Sequence, residues 1–149
     1  METDTIGSVL EDLVQTLENG HKGFEQAADH LEGQAGTAVV ERMRTFSEQR
    51  ADFSSELRSL ASMHGITIAD GGSVAGAVHR GWIGMKDALT GDDPTAILAA
   101  AETGEDHAVT EYEEALEQDL PNEVRTVIQR QATEVRKTHD EVRALRDNL

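Results

Sequence analysis

Apolar residues recur three and four positions apart along most of the chain, and the stripes they form predict helices. Ile6, Leu10, Leu13, Leu17, Phe24, Ala27 and Leu31 make the first stripe, completed by Gly20, so a helix is expected from about Thr5 to Leu31. The glycines of "LEGQAG" then suit a helix end and a turn. A second helix starts near Thr37, with Val39, Met43, Phe46, Phe53, Leu57 and Leu60 on one face, and fails at the breaker-rich "HGITIADGG". A shorter helix capped by Ser73 follows, its apolar face marked by Val74, Val78, Trp82, Met85 and Leu89. After "TGDDP", Asp93 is the expected N-cap and Pro94 the first helical residue of a helix reaching about Gln118. The turn "DLPNE" opens the last helix, which runs to about Asp147 with Val124, Ile128, Val135, Val142 and Leu145 inward.

Short turns force antiparallel neighbours, so the pattern predicts two helical hairpins. The connection between them, about residues 65 to 94, is long enough to run the length of a bundle. This all-α arrangement, a four-helix bundle with one long crossover holding a short helix, is the ferritin-like one. It is expected as one domain over residues 1–149.

Three stripe positions are anomalous. Arg50 stands between Phe46 and Phe53. Glu102 and Glu105 share a face with Leu98, Ala101, Val109, Tyr112 and Leu116. A buried carboxylate must meet a cation, take up a proton or bind a metal. Helical rise is equal on both arms of a hairpin, so counting from the loops finds which residues are level. That places Glu18 opposite Arg50 and Glu102 opposite His139, all near the middle of the bundle.

Two arrangements satisfy these residues. The first is a metal-free polar core layer of Arg50, Glu102, Glu105, His139 and Glu18, in which the Arg50 guanidinium fork pairs with Glu102 or Glu105 and His139 accepts or donates alongside. The second is an iron or manganese site built from Glu18, His21, Glu102, Glu105 and His139. A di-iron site of this fold needs Glu-x-x-His on two helices, and the chain offers only Glu18-x-x-His21. A permanent cation at Arg50 also works against a divalent one, so no cofactor is the expectation. His79 and Arg80 beside Trp82 suggest a surface or crossover site, or a cation–π contact.

Charge narrows the partners. The 29 acidic and 13 basic residues give a net charge of −16, which opposes binding to nucleic acid or an anionic membrane. Residues 95–121 hold eight acids and no lysine or arginine, whereas residues 122–149 hold six bases and five acids. Those two helices are therefore suited to lie side by side. Such acidity with three lysines would also suit a high-salt setting. The absence of cysteine and of a signal-like N-terminus points to a cytoplasmic protein. No apolar run spans a membrane, and there is no phosphate loop or nucleophile elbow.

The stretches "DLVQTLENGHKGFEQAA", "QRADFSSELRSL", "GSVAGAVHRGWIGMKDALTG", "ETGEDHAVTEYEEAL" and "THDEVRALRD" together resemble the DUF2383 family of bacterial proteins of unknown function. The resemblance implies a ferritin-like fold and no particular reaction. Arg50, Phe53, Glu102, Glu105, Asp106, Tyr112 and His139 match the family pattern, as do His79, Arg80 and Trp82. The chain departs from it at Asn19-Gly20, where the family has Asp-Gly, which weakens a metal site further. The expectation is a non-catalytic structural or stress-associated interaction protein, able to self-associate through helix faces. The alternative is an iron- or manganese-binding ferritin-like protein.

Overall fold

A computed structural model describes residues 2–68, 81–91 and 93–149. Among these the helices are α1 (Glu2–Leu31), α2 (Thr37–Met63), α3 (Ile83–Gly91), α4 (Pro94–Leu116) and α5 (Asn122–Asp147). The four long ones form a ferritin-like four-helix bundle.

Local chemistry sets the boundaries. Asp93 accepts a hydrogen bond from the Thr95 amide at 3.0 Å, and Pro94 occupies the first turn of α4, where its missing N–H costs nothing. At the end of α2, the Ile66 amide reaches back to the Ala61 carbonyl and the Gly65 amide to Ser62, with Gly65 at φ 74°. This glycine-dependent C-terminal motif turns Ile66 back onto the core.

The short helix is a correction. The apolar stripe predicts helix through Trp82, but Gly81 sits at φ 72° and α3 begins only at Ile83. A left-handed residue cannot continue a right-handed helix. Ser73, Val74, Val78, His79 and Arg80 lie outside the described residues.

α1 packs along α2 and α4, α4 along α5, and α2 more sparsely along α5. Around the bundle the order is therefore α1, α2, α5, α4, with α2 and α4 facing each other across the diagonal. The two hairpin turns lie at opposite ends, as the crossover requires.

The apolar core falls into two clusters. One joins Ile6, Leu10, Leu13 and Leu17 of α1 to Leu57, Tyr112 and Ile128. The other joins Phe24 and Leu31 to Met43, Phe46, Trp82, Met85, Leu98 and Val142. Asn19, Arg50, Glu105, Thr138 and His139 are also buried, and they fall between the two clusters along their helices.

Candidate functional site

Arg50 projects from α2 into the centre of the bundle and is 0% exposed. Its stem lies against Gly20 of α1, where an added Cβ would make ordinary contact with it. A Cβ at Gly20 would lie 3.4 Å from Arg50 Cγ. Its two terminal nitrogens donate to the two carboxylate oxygens of Glu105 at 2.6 Å each. Its Nε donates to Gln49 Oε1 at 3.3 Å, and the guanidinium lies 5.4 Å from the Phe24 ring centroid. This pairing spans the diagonal from α2 to α4. Charge-assisted, bidentate geometry offsets much of the desolvation that burying both ions costs.

The other expected members of the layer are not in this pair. Glu102, one turn earlier on α4, accepts from Arg143 Nε at 2.9 Å and from Arg146, both on α5. The bond to Glu102 strengthens the proton hold of Arg143. His139 turns Nε2 toward Asp106 at 2.5 Å and Nδ1 toward Asp140 at 3.3 Å. Glu18 accepts from Arg58 at 2.6 Å, and Arg58 also donates to the Ile68 carbonyl at 2.9 Å. His21 turns Nδ1 toward Ser47, 2.8 Å from its hydroxyl and 3.0 Å from its carbonyl.

Residues that counting makes level do not all meet at their tips: Arg50 lies against Gly20 and His21 meets Ser47, but Glu18 meets Arg58 and His139 meets Asp106. The reason is that helical side chains lean toward the N-terminus. On antiparallel helices the two leans are opposite in space. Tips therefore meet when both residues lie further along the sequence than their level backbone positions.

The residues named for iron or manganese do not converge. Among the described residues no group of three or more His, Asp or Glu side chains is placed to hold a metal ion. Glu18, Glu102 and Glu105 each have an arginine instead, and the two histidines point elsewhere.

Trp82 is 8% exposed and forms part of the core, as its place on the apolar stripe implies, so of the surface and crossover alternatives only the surface one is excluded for it. It packs edge-on to Phe24, with ring centroids 5.2 Å apart. The other two residues named with it, His79 and Arg80, lie outside the described region.

A second buried network was only partly legible. The Tyr112 hydroxyl donates to Gln131 Oε1 at 2.8 Å, and Gln131 Nε2 donates to Glu56 at 2.7 Å. Burial pushes the Tyr112 phenol well above its ordinary value. The bond from Arg130 holds the Glu56 carboxyl below its usual range against the opposing effect of burial. Tyr112 shares the inward face of Glu102 and Glu105, but its partnership with Gln131 depends on the helix pairing. Asp106 was named only through the family resemblance, and Arg58, Arg143 and Arg146 were missed. Their signal was the shared face of Arg143 and Arg146, opposite the acidic helix.

The fold, with the Arg50–Glu105 pair at its centre, defines a ferritin-like four-helix bundle. The family described as "Domain of unknown function (DUF2383)" matches residues 5–118, and the chain belongs to it. Among solved structures, a Dps1 mutant of Mycobacterium smegmatis is similar with a TM-score of 0.78 and 15% sequence identity, over 96% of this chain and 95% of that one. At that identity the likeness concerns the fold. No curated protein matches the chain. Among the described residues no helix is long and apolar enough to cross a membrane.

Proposed function

We propose that this protein is a non-catalytic structural bundle that holds no metal and works through contacts with other proteins or with further copies of itself. The observation that carries this reading is the Arg50–Glu105 pair. Where a metal-dependent relative of this fold needs an open carboxylate, a guanidinium occupies both oxygens of Glu105 at zero exposure. A guanidinium keeps its charge at any physiological pH, so it excludes a divalent cation electrostatically as well as sterically.

The surface supports the same reading. A net charge of −16 disfavours nucleic acid and anionic lipid as partners and leaves protein contacts. The absence of cysteine is compatible with a reducing cytoplasm.

The test is elemental analysis of tag-free protein, purified without chelator and again after anaerobic incubation with Fe(II) or Mn(II). Bound metal well below one ion per chain is expected under every condition. One or two ions per chain, lost in Glu102→Ala, would overturn the reading and make the carboxylates ligands. Arg50→Met sharpens the test. If that variant alone binds iron, the guanidinium is what blocks a latent site.

A further inference from the structure

Trp82 arrives from the crossover and enters the groove between α1 and α4. On the α1 side, a Cβ at Gly23 would lie 2.2 Å from Trp82 Cε3. On the α4 side, a Cβ at Gly104 would lie 2.2 Å from Trp82 Cε2. No side chain larger than hydrogen fits at either place, so the indole bears directly on both helix backbones. The approach is equally tight, because a Cβ at Gly81 would lie 2.7 Å from His107 Cβ.

One of these helices, α4, carries Glu105 of the buried ion pair, and the other, α1, lies against its Arg50 partner from α2. Gly104 is followed by Glu105, which takes the Arg50 guanidinium, and Gly23 lies one turn after Gly20, which the Arg50 stem packs against. Phe24 joins the two features. Its ring meets Trp82 edge-on at 5.2 Å and lies 5.4 Å from the Arg50 guanidinium. We infer that Trp82 is a wedge that sets the separation of α1 and α4 at which the Arg50–Glu105 pair closes, so that crossover docking and pairing across the bundle are one coupled event.

The physical basis is the contrast between the two contacts. Packed interiors resist compression, so an indole held between two backbones fixes their spacing. A bidentate ion pair is sharply directional, and a small displacement of α4 lengthens both of its bonds. The inference rests on reading Arg50–Glu105 as a structural pair, and the test separates failure of the two ideas.

The experiment uses the full chain, whose single tryptophan makes its emission a specific reporter. Urea unfolding is measured for Trp82→Phe, Glu105→Gln and the double variant. The expected losses are non-additive by at least about threefold in the unfolding constant, as for groups sharing one network. Glu105→Gln should also move Trp82 emission to longer wavelength while helical circular dichroism is unchanged. Additive losses with unmoved emission overturn the wedge. Arg50→Lys, a milder change, keeps the test alive if Glu105→Gln does not fold: a smaller shift in the same direction is expected, and unmoved emission again counts against it. A parallel Arg50→Met and Glu105→Gln cycle reports on the pair alone. Independence there would overturn the structural reading of the pair; interaction there with no effect on Trp82 would overturn only the wedge.

Discussion

Glu105 and Glu102 stand one turn apart on α4, yet the fold treats them differently. Glu105 reaches inward along the bundle diagonal, has no exposure and meets one guanidinium that is itself fully buried. Glu102 lies at the edge of the same face, where two arginines reach over it from α5 and the Arg143 side chain remains 55% exposed. The first pair is short of water and depends on its geometry. The second has water as an alternative partner. Burial of the partner therefore decides what a carboxylate on an apolar stripe contributes.

The comparison breaks most visibly at Glu105. Glu105→Gln leaves Arg50 charged and buried with a neutral partner, and removing one member of such a pair costs about 3–5 kcal/mol. The melting temperature should fall by roughly 10 °C. Arg50→Met combined with Glu105→Leu should recover most of that loss, because a well-packed apolar replacement is often neutral. Failure of the double variant to recover would mean the pair contributes net stability.

Tyr112 gives an intermediate effect. Tyr112→Phe removes a buried donor to Gln131 and should cost about 1–2 kcal/mol. The buried phenol also has a pH signature. Its folded-state value is raised by burial above the ordinary 10.0, so above that pH the unfolded chain releases a proton that the folded chain retains. The corresponding stability is intact below pH 10 and lost as the pH rises. Tyr112 is the single tyrosine, so tyrosinate absorbance should appear together with unfolding. Titration in the folded protein would show that the hydroxyl is wet.

The edge pairs should give the smallest effects. Glu102→Gln is expected to lower the melting temperature by at most about 3 °C, with the loss shrinking as salt is raised. A salt-independent loss as large as that of Glu105→Gln would erase the distinction between core and edge. At the far end of the scale, Arg136→Ala removes a pair whose partners are 59% and 61% exposed. Its effect on urea unfolding should stay within about 0.5 kcal/mol.

Most of the fold is legible in the chain because its causes are local. Stripe periodicity marks the four long helices, and the breaks follow from Asp93-Pro94, Pro121 and the glycine-rich turn after Met63. The short helix is less legible. A stripe reads through Trp82, but the backbone at Gly81 adopts a conformation that no periodicity reveals. The candidate site divides in the same way. That Arg50 would be inward and require a carboxylate follows from its place between Phe46 and Phe53, together with the cost of burying an unpaired charge.

The choice of Glu105 over Glu102 does not follow from the sequence, since both lie on one face of α4 and 3.6 residues per turn leaves both within reach of the centre. It is decided by the diagonal placement of α2 and α4. The seat of Trp82 is non-local for the same reason. Gly23 and Gly104 stand 81 positions apart, and only packing α1 against α4 makes the two glycines one notch. The sequence by itself determined the helices, their breaks and the buried charge that had to be paired. The tertiary structure decided which carboxylate pairs with it and which residue wedges the helices apart, because both depend on distances between segments that no local rule constrains.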